Sequence, residues 1–73
     1  MSEEILAPLA GKVIKLNIQV GDKVEEDQEA FVIEAMKMET EVYVPCDGTV
    51  ESVLIKQGDE VEEDDVLAII SDK

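Results

Sequence analysis

The chain contains no histidine, no tryptophan and no arginine, and only one cysteine, one phenylalanine and one tyrosine in 73 residues. Without histidine there is neither a Ser-His nor a Cys-His nucleophile pair, and no plausible zinc set. The lone Cys46 excludes an internal disulfide framework. Its neighbour Asp47 disfavours the thiolate, so Cys46 reads as a poor nucleophile. Basic charge is scarce too: six lysines face nineteen acids, a net charge of −13. Binding to phosphate backbones needs clustered Lys and Arg, which excludes nucleic acid as a partner; anionic lipid is repelled for the same reason. The acidic surface reads either as simple solvation or as electrostatic steering toward basic partners. It also disfavours self-association, so a monomer is expected. The runs Glu25-Glu26-Asp27 and Glu62-Glu63-Asp64-Asp65 lack the spacing and central Gly of a calcium loop, and no metal site is expected.

Long apolar runs are missing as well. None approaches the ~20 residues that span a bilayer, and Ser2-Glu3-Glu4 is the opposite of a basic signal-peptide start. The expectation is a cytoplasmic chain with no direct membrane insertion, even where it serves at the face of a membrane-bound complex.

What is present is apolar and β-rich: 45% of residues are hydrophobic, many of them Val and Ile. Residues 1–73 read as one small domain. A chain of this size buries roughly 60% of its unfolded surface, leaving room for one binding feature but hardly for a deep catalytic cleft. Its stability is expected at roughly 4–11 kcal/mol.

The chain is written twice. Residues 7–33 align without gaps on residues 44–70, a spacing of 37, and eleven of the 27 positions are identical. Among them are Pro8/Pro45, Gly11/Gly48, Val13/Val50, Ile18/Ile55, Gly21/Gly58 and Val24/Val61. Each copy opens on a Pro and Gly turn, continues in a β-rich run (12–20 or 49–57), turns at Gly-Asp, and closes in a short apolar strand. Alternation puts Ile14, Leu16, Ile18 and Val20 on one face, with Lys15, Asn17 and Gln19 on the other. No segment carries a helical stripe. The reading is all-β: two small antiparallel sheets, one from each copy, packed face to face about a pseudo-two-fold axis, because neither copy can bury its apolar face alone. The expected core is Val13, Leu16, Ile18, Val24, Val32 and Ile33 against Val50, Val53, Ile55, Val61, Leu67, Ile69 and Ile70.

Between the copies lies Glu34-Ala-Met-Lys-Met-Glu-Thr-Glu41. A strand runs in over 30–35 and another runs out over 39–45, so the reversal falls at Met36-Lys37. Two-residue hairpin turns favour positive φ at both positions, hence Asn-Gly or Asp-Gly. Met and Lys are poor choices, costing roughly 1–2 kcal/mol each in a left-handed conformation. A broken local rule is expected where function sits. The counterpart of Lys37 in the second copy would be residue 74, just past Lys73. Symmetry therefore sets the Lys37 hairpin at one end of the molecule and the chain ends at the other, with Lys37 projecting from an exposed tip.

Here the chain resembles the biotinyl/lipoyl carrier domains. Ala7-Pro8-Leu9-Ala10-Gly11-Lys12-Val13 looks like that family's opening, the Gly-Asp turns at 21–22 and 58–59 like its paired turns, and Glu34-Ala35-Met36-Lys37-Met38-Glu39-Thr40 like its biotin attachment sequence. The resemblance implies a flattened β-barrel or sandwich, the single hybrid motif of that family. It also implies covalent biotin on Lys37, added by a biotin protein ligase, with Glu34, Ala35, Met36, Met38 and Glu39 as the recognition motif. There are departures: Asp27 and Asp64 stand where Gly is common, Ala10 where Pro is, and Ala30 where Leu is. The inserted thumb of some bacterial acetyl-CoA carboxylase carriers is lacking.

The implied role is that of a non-catalytic biotin carboxyl carrier serving a carboxylase, decarboxylase or transcarboxylase. Its partners would be biotin carboxylase together with carboxyltransferase or decarboxylase subunits. Nothing in the sequence points to a buried or activated lysine, so the ligase must supply both the activated biotin and a proton acceptor. Met36 and Met38 read either as flexible fillers or as the ligase's recognition surface. Glu34, Glu39 and Glu41 read as solvated strand-end charges or as contacts for a basic partner. Two rivals remain at this stage. A lipoyl carrier of a 2-oxoacid dehydrogenase shares the fold, but its lysine usually sits in Asp-Lys-Ala, which is absent. An unmodified structural hairpin module would make Lys37 dispensable.

Overall fold

A computed structural model describes residues 2–72 and places eight strands: β1 (Ser2–Leu6), β2 (Gly11–Leu16), β3 (Lys23–Val24), β4 (Glu29–Ala35), β5 (Met38–Tyr43), β6 (Gly48–Val53), β7 (Glu60–Val61) and β8 (Val66–Ser71). They form two four-stranded sheets with orders β1-β8-β6-β3 and β5-β4-β2-β7, every pairing antiparallel. The all-β sandwich expected from the repeat is what forms. One detail differs: each sheet takes a two-residue strand from the other copy, β3 joining β6 and β7 joining β2. The Gly-Asp turn throws the chain across the sandwich, so the copies interlock rather than stack.

The turns explain the interlock. At Gly21 and Gly58 φ is +93° and +97°, the conformation that a type II turn demands of its third residue. Asp22 and Asp59 close these turns by accepting from Gln19 N (3.0 Å) and Lys56 N (2.9 Å). Next, Asp27 and Asp64 take φ of 71° and 70°. Gln28 Oε1 then accepts from Glu25 N, and Asp65 Oδ2 from Glu62 N, so different side chains fill one structural role in the two copies. The acidic runs are thus turn-forming segments first.

Two matched bulges set which side chains face inward. The register slips between Val13 and Lys15 in β2, and between Val50 and Ser52 in β6. An extra residue in each strand reverses the alternation. Simple alternation therefore fails at both ends of the first run. Val13, before the bulge, is fully buried; Ile14 is only half-buried; and Val20, carried out into the turn, is 65% exposed.

The core joins equivalent pairs: Ile5/Val42, Ala7/Val44, Val13/Val50, Val24/Val61, Ala30/Leu67, Phe31/Ala68 and Ile33/Ile70 are all buried. Ala30 beside Phe31 and Leu67 beside Ala68 place small and large residues in opposite order, which fills the space between the sheets. Of the expected core, Leu16, Val53 and Ile55 pack against it only half-buried, and Ile69 is half-buried on its strand. Ile5, Ala7, Ala30, Phe31, Val42, Val44 and Ala68 belong to the core as well.

Strand β1 carries part of that addition. In the ladder Ser2 pairs with Ser71, as Glu39 pairs with Glu34 across the hairpin. The N- and C-terminal strands therefore meet in one sheet at the place that the Met36-Lys37 turn occupies in the other.

Candidate functional site

Strand β4 is the rigid support of the site. Ala30, Phe31, Val32 and Ile33 are all buried, and β2 and β5 flank the strand. Its ladder with β5 runs to Glu34↔Glu39 and Ala35↔Met38, leaving Met36 and Lys37 as a two-residue turn. Their φ values are 53° and 66°. Both central residues thus adopt the left-handed conformation that two-residue hairpins require, without the Asn or Gly that accommodates it cheaply.

The turn is bare. Met36 is 94% exposed and Met38 71%, with Lys37 exposed between them. Exposed to that extent, the methionines do not act as core fillers; they present a soft apolar rim around the amine. Glu34 and Glu39 face each other one step below, both exposed. The Lys37 side chain beyond them is exposed as well.

Residues outside the hairpin hold the turn in place. A Cβ on Gly11 would lie 2.6 Å from the Glu34 carbonyl oxygen and 2.6 Å from Ile33 Cγ2, so only glycine lets β2 approach the hairpin base this closely. Lys12, the next residue, pairs with Glu34 on one side and Glu60 on the other, making a Glu34-Lys12-Glu60 row across three strands. Gly11 was legible as a repeated glycine. The row was not, because it depends on β7 crossing from the other copy.

Elsewhere the chemistry is quiet. The Cys46 thiol is pushed up from its ordinary value, first by burial and then by the negative charges of Glu3, Asp72, Asp47 and Glu26. Asp47 is one of several neighbours, and desolvation outweighs it. Asp47 itself accepts from Glu26 N at 2.7 Å, a structural task. The Tyr43 hydroxyl donates to Glu41, which raises the phenol's pKa. None of these groups meets a partner suited to nucleophilic catalysis.

Comparison with known proteins agrees with this geometry. The biotin/lipoyl family described as biotin-requiring enzyme matches residues 3–70. The 1.3S subunit of methylmalonyl-CoA carboxyltransferase from Propionibacterium freudenreichii is 57% identical over 37 residues, covering 51% of this chain and 30% of that protein. The biotin carboxyl carrier protein of Streptococcus mutans is 49% identical over 35 residues, covering 48% of this chain and 27% of that one. Among solved structures, the urea carboxylase of Kluyveromyces lactis superposes over 97% of this chain and 6% of its own, with a TM-score of 0.89 and 37% identity. The chain thus spans under a third of the length of these relatives. With nearly its whole length matched by one family and the same fold recurring inside a carboxylase, the chain belongs to the biotin/lipoyl family of biotin-requiring enzymes.

Proposed function

We propose that Lys37 is the residue that carries the biotin, joined through an amide to its Nζ by a biotin protein ligase. Membership in the family makes the domain a non-catalytic biotin carrier. The observation that supports Lys37 is its place in the strained, exposed two-residue turn at the end of the β4-β5 ladder. A lysine there can enter a ligase's active site without unfolding anything. The Nζ lone pair attacks the carbonyl of activated biotin, adenylate leaves, and the amine's proton passes to the ligase or to water. Glu34, Ala35, Met36, Met38 and Glu39 supply the shape that the ligase reads.

Bound biotin supplies a ureido nitrogen that accepts and releases a carboxyl group. The domain's own contribution is proximity: a rigid two-sheet body with a projecting arm holds the reacting ring at high effective concentration near each partner site. The partners are a biotin carboxylase and a carboxyltransferase or decarboxylase, met as subunits or as domains of a longer chain, in the cytoplasm. In isolation the domain is a monomer, since its net charge of −13 opposes self-association. The lipoyl reading is disfavoured by Met on both sides of the lysine, and the family's biotin-carrying relatives point the same way.

Intact mass after incubation with a biotin ligase, biotin and ATP tests this, beside Lys37→Arg and a parallel lipoyl-ligase reaction. One biotinyl addition, abolished in Lys37→Arg, is expected. A folded domain that gains no biotin, or gains it equally in the variant, overturns the assignment.

A further inference from the structure

The repeat builds two equivalent clefts, one on each sheet. One is lined by Lys23, Val24, Glu25, Asp47, Gly48, Thr49 and Asp72. The other lies at the base of the attachment turn. Ala10, Gly11, Lys12, Ala35, Glu60, Val61 and Glu62 line it at the positions 37 residues away, together with Glu34 and Met36. The fold alone makes the pair; the differences between them are local.

At the Lys37 end, two carboxylates have become methyl groups: Ala10 replaces Asp47 and Ala35 replaces Asp72. That cleft is also larger, ≈ 620 Å³ against ≈ 420 Å³. Asp47 uses its carboxylate to accept from Glu26 N; Ala10 has no acceptor to offer the equivalent amide, that of Glu63. In place of Thr49, the floor carries Lys12 between Glu34 and Glu60. Met36, 94% exposed, adds apolar surface.

We propose that this cleft is a resting site for the biotin ring carried on Lys37, occupied between visits to partner active sites. The inference rests on the biotin reading above. Biotin's ureido group has one carbonyl acceptor and two N–H donors. Lys12 Nζ can serve the first; the Glu34 and Glu60 carboxylates can serve the others. Met36 is the exposed apolar side chain that the thioether ring would meet. An extended lysine and valeryl arm reaches about 14 Å from the Lys37 Cα, enough to double back over a cleft that begins at the neighbouring residue. Docking there is reversible, since Lys12, Glu34, Met36, Glu60 and Glu62 are all exposed. It lowers the ring's exposure without hindering its transfer.

Intact mass first shows that Lys37 carries biotin. Amide NMR spectra of the biotinylated and unmodified domains then report the ring's position, with the opposite cleft as an internal control. The expected result is shifts at Gly11, Lys12, Ala35, Val61 and Glu62 well above those at Gly48, Thr49, Asp72, Val24 and Glu25. In Ala10→Asp/Lys12→Thr, which installs two of the other cleft's residues, those shifts fall by more than half in the fraction that intact mass shows to carry biotin. Shifts confined to Met36–Met38, or unchanged in the variant, overturn the resting site and leave the carrier function standing. No mass gain at Lys37 overturns both.

Discussion

If the attachment turn holds strained backbone for the sake of its lysine, then relieving the strain must stabilise the domain while destroying the site. Met36→Asn/Lys37→Gly tests this directly. Both wild-type residues have positive φ, 53° and 66°, at about 1–2 kcal/mol each. Asn tolerates the left-handed region better than Met, and Gly adopts it freely, though its greater freedom in the unfolded chain takes back about 0.5–1 kcal/mol. Almost no burial is lost, because Met36 is 94% exposed and Lys37 exposed. The net gain expected is therefore about 1–2 kcal/mol. In a domain of this size that raises Tm by roughly 4–16 °C. Thermal melts followed by circular dichroism measure it, with intact mass confirming that biotin is no longer accepted. An unchanged or lower Tm refutes the reasoning: the turn would then be relaxed, and its unusual residues would need no functional explanation.

Ile18→Ala, at a fully buried site, is expected to cost about 2–5 kcal/mol. Ile55→Ala, at the equivalent but half-buried site, costs less, and the difference appears as unequal urea midpoints. Gly11→Ala pushes a methyl onto the Glu34 carbonyl and costs about 1–3 kcal/mol; slower ligase turnover accompanies the shifted hairpin. Cys46 should react with a thiol reagent more slowly in the folded domain than in urea at any pH up to its raised pKa, because the thiolate is disfavoured by burial and by Glu3, Asp72, Asp47 and Glu26. Tyr43 is the chain's sole tyrosine, so ultraviolet titration reads it cleanly. Its pKa lies above the ordinary value of 10.0 through the Glu41 contact, and Glu41→Gln lowers it. Because the folded value is raised, the stability this contact lends is full below that ordinary value and is lost as pH climbs through the raised one.

The Met36-Lys37 turn was legible because its signals are local. Two strand-like runs separated by Met36-Lys37 admit only a tight reversal, and positive φ at both residues follows from strand twist. Asp27 and Asp64, standing where glycine is common, take the left-handed conformation glycine would have supplied. Strand β1 was missed although it had a signal. Extending the 37-residue spacing backward lays 38–43 on 1–6, with Ile5 matching Val42, and both are buried. The short strands β3 and β7 had none, being two-residue pairings inside segments whose acids look like loop.

The sequence by itself determined the repeat, visible as a spacing of 37, and also the all-β class, the turns and the lysine at the tip, which depend on residues within a few positions of one another. Only the tertiary structure decided which strands share a sheet, where a bulge redirects Ile14 and a turn carries Val20 outward, and that Glu60 comes to lie beside Lys12 and Glu34. The physical reason is that a two-residue strand has no pattern of its own. Its partner is chosen by the burial of Val24 and Val61 between the sheets, and that burial exists only once both copies have closed over one core.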